Sequence, residues 1–179
     1  EKRLHESFEE IGVAQYTEEE LVFAQAVIDT YESKPDRLPG FAAQNDPAIA
    51  EFVEERTQNG SIPMNDFVMP FYSTLKFSFG STDVGDVSWQ TPTAQIHTAT
   101  YPSGAPGHSW QHVACGKSSL SHKAMLNAAK VIAGAAIDLF EAPERLEAAR
   151  AEFEKKTAEG YQCPIPPNAK PVAVGEKMA

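Results

Sequence analysis

Apolar positions recur every three or four residues in several stretches of the chain, which is the spacing of one face of a helix. The first stretch covers residues 1–12 and ends at Gly12, a residue typical of helix ends. A second helix is predicted after Thr17, because Thr17 and Glu20 have the spacing of a capping box. Further helices are predicted over residues 46–56, from residue 118 onward, and over residues 143–160.

The helix that starts after Ser118 has one apolar stripe with steps of three and four residues. The stripe consists of Met125, Ala128, Ile132, Ala135 and Leu139. This spacing predicts that the stripe faces the core. Gly134 and the many alanines make the helix thin, so the sequence also predicts that it lies close to a sheet.

Strands are predicted over residues 67–72, 75–79 and 93–101. In the second of these segments Leu75, Phe77 and Phe79 alternate with polar residues, as in a half-buried strand. Because strands alternate with helices, the sequence predicts an α/β fold with a partial mixed sheet flanked by helices. Residues 1–179 are treated as a single unit, with a long surface excursion at 33–66 and an extended tail at 161–179.

Composition narrows the class of protein. The formal net charge is −10, which argues against binding to nucleic acid. No stretch reaches the ~18–20 uninterrupted apolar residues that a bilayer requires, so no membrane partner is expected. Cys115 and Cys163 are too few for a disulfide framework or a cysteine zinc site. The N-terminal residues lack the pattern of a secretory leader, and a cytoplasmic location is predicted.

Several residues are candidates for chemistry. His108 lies in a Pro-Gly-His-Ser-Trp loop, and loops often present ligands, although a hydrogen-bonding histidine is the commoner case. His112 follows at helical spacing, but the Pro-Gly pair argues against a helix, and the pairing is interpreted as coincidence. Asp83 and Asp86 either cap a helix or belong to a turn whose amides line a cleft. Cys115 lacks an orienting group nearby and is a weak candidate nucleophile.

Three motifs together resemble those of one family. They are Gly-Ser-Thr-Asp-Val-Gly-Asp-Val-Ser-Trp at 80–89, Pro-Gly-His-Ser-Trp-Gln at 106–111, and Gly-Lys-Ser at 116–118 followed by His-Lys at 122–123. In combination they resemble the aminobenzoyl-glutamate utilisation amidohydrolases of the dinuclear-zinc aminoacylase, carboxypeptidase G and peptidase T family. The resemblance is close over residues 77–140 and looser over residues 4–31.

The resemblance implies a catalytic domain interrupted by a lid domain, and a site with two zinc ions. It implies that Gly80, Ser81, Thr82 and Asp83 line the substrate cleft and that His108 binds zinc. The family's His-x-Asp motif, its second Asp and its Glu-Glu pair with the general base do not occur in matching context here. The chain therefore resembles the C-terminal portion of the catalytic domain, without the N-terminal metal-binding half and the lid. Since it begins with Glu1, we expect a processed chain or one cut from a longer protein.

The expected function is that of the C-terminal segment of a zinc-dependent amidohydrolase. The complete enzyme would cleave the amide bond of N-acyl or N-aroyl amino acids such as p-aminobenzoyl-glutamate. The segment alone is expected to be inactive, because catalytic zinc needs about three protein ligands. Expected partners are the small-molecule substrate, the N-terminal half of the same enzyme and a second copy in a homo-oligomer. The alternative is a non-catalytic binding or interaction module that keeps the family's sheet.

Overall fold

The computed structural model describes residues 1–32, 46–58, 61–72 and 82–170, and every structural statement below refers to these residues. They contain seven helices, which we number in chain order. The helices are α1 (Lys2–Ile11), α2 (Glu18–Ile28), α3 (Pro47–Arg56), α4 (Val84–Ser88), α5 (Trp110–Gly116), α6 (Ser119–Glu141) and α7 (Pro143–Lys156).

The chain divides into two compact units. The first consists of Glu1–Phe79 with Ala94–Ala142, and the second of Gly80–Thr93 with Pro143–Ala179. Helices α1, α2, α3, α5 and α6 belong to the first unit, and α4 and α7 to the second. The assignment of residues 1–179 to one segment of a catalytic domain stays a prediction.

Local capping signals explain where two helices begin. At the start of α2 the Thr17 side chain accepts a hydrogen bond from the Glu20 amide at 3.3 Å, and the Glu20 carboxylate accepts one from the Thr17 amide at 2.7 Å. The predicted capping box is therefore confirmed. At the start of α3 the Asp46 carboxylate accepts from the Ala48 amide at 2.9 Å, and Pro47 occupies the first turn, where its missing N–H costs nothing.

The packing of α1 against α6 organises the first unit. Ser7 is buried and its hydroxyl donates to the Val131 carbonyl at 3.0 Å. The Asn127 side chain donates to the Gly12 carbonyl at 2.9 Å, which satisfies an acceptor at the end of α1. The Arg3 guanidinium donates to the Asp138 carboxylate at 2.7 Å through Nε. Polar contacts thus fix the register of the two helices along their whole common length.

Two small apolar clusters complete this unit. In one, Ala24, Met64 and Leu120 join α2 and α6, and all three are fully buried. In the other, Ile49 and Val53 of α3 pack with Phe67 and Met69. Residues within 33–66, which the sequence indicates as a surface excursion, therefore include side chains of the core.

The predicted α/β fold is wrong, because the described residues contain helices and no strand. The predicted strands at 67–72 and 93–101 are irregular, and the one at 75–79 lies outside the described residues. Two carbonyls of the segment 93–101 accept hydrogen bonds from side chains of other elements rather than from a neighbouring strand. The Tyr16 hydroxyl donates to the Ala99 carbonyl at 2.8 Å, and the Ser121 hydroxyl to the Thr100 carbonyl at 2.7 Å. Apolar alternation alone does not make a strand when no neighbouring backbone pairs with it.

The face that α6 buries also differs from the prediction. Met125 and Ile132 of the predicted stripe are 60% and 55% exposed. The buried positions are Leu120, Ala124, Asn127, Val131 and Ala135, and of these Ala135 alone belongs to the predicted stripe. Because α6 is apolar on most of its circumference, periodicity alone does not identify the side that meets α1.

The second unit contains the short helix α4 and the exposed helix α7. No side chain of α7 is buried, although Leu146, Ala149 and Phe153 have the spacing of an inward face. The Tyr161 hydroxyl donates to the Asp86 carboxylate at 2.5 Å, and the Tyr161 ring lies 6.1 Å from that of Trp89. These contacts tie the residues after α7 to α4.

None of the helices in the described part of the chain combines the length and apolar character needed to cross a membrane.

Candidate functional site

A cavity of about 690 Å³ lies within the first unit. Its walls come from α1, from the irregular segments 65–72 and 95–104, and from α6. Aromatic and imidazole rings contribute to the lining, among them those of His5, Phe71, His97 and Tyr101. Polar side chains, among them Asn65, Gln95 and Asn127, also line the cavity. Its volume lies in the range of small-molecule sites.

Hydrogen bonds hold both irregular walls in place. The Ser103 hydroxyl donates to the Asn65 side chain at 2.7 Å, which links one wall to the other. Tyr16, which also lines the cavity, donates its hydroxyl hydrogen bond to the Ala99 carbonyl of the second wall. Burial, helped by the negative charges of Glu20 and Asp66, raises the pKa of Tyr16 to about 12. Its hydroxyl therefore remains protonated and donates to Ala99 throughout the neutral range.

Two histidines lie beside aromatic rings that line this cavity. The His5 ring is 5.4 Å from the Phe71 ring, and its Nε2 atom is 3.4 Å from the Glu9 carboxylate. The His112 ring stacks on Tyr101 with 4.0 Å between the centroids. Within the described part of the chain, the Nε2 atom of His112 is buried and makes no hydrogen bond. Sequence reasoning dismissed His112, yet Ser109 is an N-cap residue that indicates the helix on which it lies.

His108 lies outside this cavity lining and directly before α5. Its side chain is exposed, and its backbone has a φ of 54°, a left-handed conformation that few residues other than glycine adopt. The neighbouring Ser109 stabilises this turn: its hydroxyl donates to the Pro106 carbonyl at 2.6 Å and accepts from the His112 amide at 3.4 Å. His108 and His112 therefore do not share a helix face, although the stretch 110–116 is helical, contrary to the sequence analysis.

The predicted substrate-binding turn is described only in part. Gly80 and Ser81 lie outside the described residues, and Thr82 and Asp83 are exposed before α4. The Thr82 hydroxyl accepts from the Val84 amide at 3.3 Å. Asp83 occupies the N-cap position, but its side chain makes no capping hydrogen bond. Its carboxylate is not engaged in holding the helix, and its role in substrate binding stays a prediction.

The described residues do not form a zinc site by themselves. Within ranges 1–32, 46–58, 61–72 and 82–170, no three side chains of His, Cys, Asp or Glu come together as metal ligands. Cys115 is fully buried, and burial raises the pKa of its thiol, which is the opposite of what an activated nucleophile needs. Among the described residues, neither a metal-ligand cluster nor an activated cysteine is therefore observed.

Comparison with known proteins gives an informative match. Over 174 residues, or 96% of its length, the chain is 33% identical to one of the subunits of p-aminobenzoyl-glutamate hydrolase from Escherichia coli (strain K12). The match occupies 36% of that protein, so the chain spans about a third of the length of this curated relative. No protein-family model matches the chain. No solved structure matches it either. The resemblance inferred from the motifs is thus confirmed: over nearly all its length the chain is homologous to an aminobenzoyl-glutamate hydrolase subunit.

Proposed function

We propose that this chain is one segment of a hydrolase that cleaves the amide bond of N-acyl or N-aroyl amino acids, such as p-aminobenzoyl-glutamate. The observation that carries the proposal is the 33% identity to the Escherichia coli hydrolase subunit over 96% of the chain. The motifs at 80–89 and 106–111 support it, because they contain the residues for which the resemblance implies roles at the site.

The segment works only with the rest of the hydrolase polypeptide. Two observations support this step: the match covers 36% of the relative, and the described residues bring no three metal ligands together. A hydrolytic zinc site needs about three protein ligands and an open position for water. The missing ligands and the general base would then come from the unmatched part, and the isolated segment would not hydrolyse the substrate.

His108 is the residue we propose as the segment's zinc ligand. Its imidazole is exposed, and its backbone has a φ of 54°. A left-handed backbone at a non-glycine residue costs roughly 1–2 kcal/mol. Such strain often persists at functional sites, where the position of one side chain matters more than local stability.

Gly80, Ser81, Thr82 and Asp83 are proposed to line the substrate cleft. Support comes from the exposure of Thr82 and Asp83 and from the uncapped carboxylate of Asp83. Bound zinc would supply an activated water in the complete hydrolase, and the proposed role of the turn is to bind the substrate. The segment's own contribution is therefore binding and positioning.

The test replaces His108 by alanine in the complete gene product. We expect hydrolysis of p-aminobenzoyl-glutamate to fall at least ~1000-fold, as for other losses of an essential catalytic element. The melting temperature should stay the same or fall slightly, because the side chain is exposed and alanine, like histidine, carries a Cβ in the left-handed conformation. His122→Ala is the matched control, since His122 is also an exposed histidine and has no proposed role.

Near-normal turnover by His108→Ala would contradict the ligand assignment. A complete gene product that binds the substrate but never hydrolyses it would instead support the alternative, a non-catalytic binding module. Hydrolysis by residues 1–179 alone, at the rate of the complete protein, would contradict the proposal that the segment is inactive by itself.

A further inference from the structure

The helix α6 leaves a large apolar surface uncovered in this chain. Five of its apolar side chains are more than half exposed: Met125 (60%), Leu126 (58%), Ile132 (55%), Ile137 (56%) and Phe140 (83%). At 3.6 residues per turn they fall within about 140° of the helix circumference. We call this surface the outer face of α6.

The outer face is continuous over most of the helix. From Met125 to Phe140 it extends for about 22 Å. The positions between its large side chains are the alanines 129, 133 and 136, and the nearest charge is that of Lys130 at its edge. No polar side chain therefore interrupts it.

The opposite side of α6 already has its partners. Val131 and Asn127 meet α1 through hydrogen bonds, and Leu120 and Ala124 are buried. Apolar residues cover most of the circumference of α6, and apolar helix faces are normally buried. The first unit buries one side of α6, whereas the outer face has no partner among the described residues.

The area indicates what kind of partner covers the outer face. Five such side chains present on the order of 500 Å² of apolar surface, which is at the upper end of what monomers expose in one patch. A stable complex between separate chains buries about 800 Å² on each partner. The outer face is smaller than this, but a segment of the same polypeptide needs no such area, because its effective concentration is already high.

We propose that the outer face of α6 packs against the part of the same hydrolase polypeptide that lies outside the matched region. This rests on the proposed function, in which the chain is one segment of a longer protein. In the relative, nearly two thirds of the polypeptide lies outside the matched region, since the match covers 36% of it. In this proposal, the corresponding part of this protein covers the outer face. The occupant is apolar at the contact and is not a second copy of this chain.

Thiol labelling in the complete gene product tests the proposal. In a Cys163→Ser background, which removes the exposed native thiol and leaves the buried Cys115, one cysteine is introduced at Ile132 or, as a control, at Val22 of α2. Mass spectrometry of the peptide that contains the introduced cysteine distinguishes its labelling from that of Cys115. Val22 is 67% exposed and lies one turn after Glu18 and Glu19, so it is a matched exposed position outside the outer face. The labelling rate of each variant is compared with its rate in the unfolded protein.

The expected result is that Ile132→Cys reacts at least tenfold more slowly in the folded than in the unfolded protein, at every protein concentration, while Val22→Cys reacts nearly as fast in both. Labelling of Ile132→Cys at the unfolded rate would overturn the proposal. Protection that disappears on dilution would overturn it as well, because a second copy would then be the occupant. Labelling needs no turnover, so the result is independent of whether the complete protein hydrolyses p-aminobenzoyl-glutamate.

Discussion

The Glu20 side chain takes part both in a helix cap and in a contact between two helices. Its carboxylate closes the capping box of α2 and also accepts a hydrogen bond from the Lys123 ammonium of α6 at 2.6 Å. The bonds from Lys123, from Ser119 and from the Thr17 amide lower the pKa of Glu20 from its usual 4.5 to about 2. The carboxylate is therefore more acidic in the folded than in the unfolded protein.

The lowered pKa predicts a loss of stability in acid. Because the folded pKa lies below the unfolded one, the ionised carboxylate stabilises the fold above about pH 4.5 and ceases to do so as the pH falls toward 2. We expect Glu20→Gln to lower the free energy of unfolding by about 1–2 kcal/mol at pH 7. Urea denaturation at several pH values should show this difference shrinking between pH 5 and pH 2.

Glu18→Gln is the control for this effect, because Glu18 is an exposed carboxylate in the same helical turn. It should change the free energy of unfolding by less than about 0.5 kcal/mol at either pH. A Glu20→Gln deficit that is equally large at pH 7 and pH 2 would show that the ionised carboxylate is not the stabilising group.

Sequence reasoning at the residue scale succeeded where the partner is close in the chain. Thr17 and Glu20 are three positions apart, and their spacing alone predicted the capping box. Lys123 is 103 positions from Glu20, and no local pattern reports such a contact. The orphaned Nε2 atom of His112 was missed for the same reason, since its burial depends on Tyr101 and on the packing around it.

At the scale of elements, the close approach of α1 and α6 depends on Gly134. A Cβ atom at this position would lie 2.7 Å from the Ser7 hydroxyl oxygen and 3.0 Å from Cδ1 of Ile11. The Ser7 side chain is short, buried and bonded to the Val131 carbonyl, so it has little room to move. Helix α1 therefore leaves no space for a side chain at position 134.

Gly134→Ala is expected to lower the free energy of unfolding by about 1–2 kcal/mol, because overpacking outweighs the better helix propensity of alanine. Thermal or urea denaturation measures this difference. Gly116→Ala is the matched control: a Cβ there meets nothing within 4 Å, and the variant should be neutral or slightly more stable. In a Ser7→Ala background the Gly134→Ala deficit should become smaller, and an unchanged deficit would contradict the steric explanation.

Helices were predicted well from the sequence, but their faces and the strands were not. Caps and periodicity lie within about four residues, so α1, α2, α3 and α6 could be recognised locally. The buried side of α6 could not, since two different apolar stripes run along it and only the position of α1 selects one. The segments 67–72 and 93–101 have strand-like composition, but a strand also requires a pairing partner, which no local pattern specifies.

At the scale of the whole molecule, the proposed site is shared between this segment and the rest of the hydrolase polypeptide. From the sequence, only residues carried by motifs could be proposed for it: Gly80, Ser81, Thr82, Asp83 and His108. Their distances to other ligands depend on chain outside the matched region. The cavity between segments 65–72 and 95–104 could not be predicted, because irregular segments show no periodic pattern of apolar residues in the sequence.

Metal removal distinguishes the segment from the complete protein. A single histidine binds zinc weakly, so a chelator should shift the melting temperature of residues 1–179 by less than about 1 °C. The complete gene product should lose its hydrolase activity on chelation and regain it on addition of zinc. Full activity in the presence of excess chelator would contradict a zinc-dependent mechanism. Calorimetry of both proteins, with and without chelator, measures the change in melting temperature.

The ion pair between Arg3 and Asp138 has a consequence for the time course of folding during translation. The two residues are 135 positions apart, so α1 leaves the ribosome long before its partner in α6 has been made. At ordinary rates of synthesis the delay is on the order of ten seconds. During that interval the inward side of α1, with Ser7 and Ile11, has no α6 to pack against. Among the described helices α1 is thus the earliest to be synthesised, and its partner α6 follows only after most of the first unit has been made.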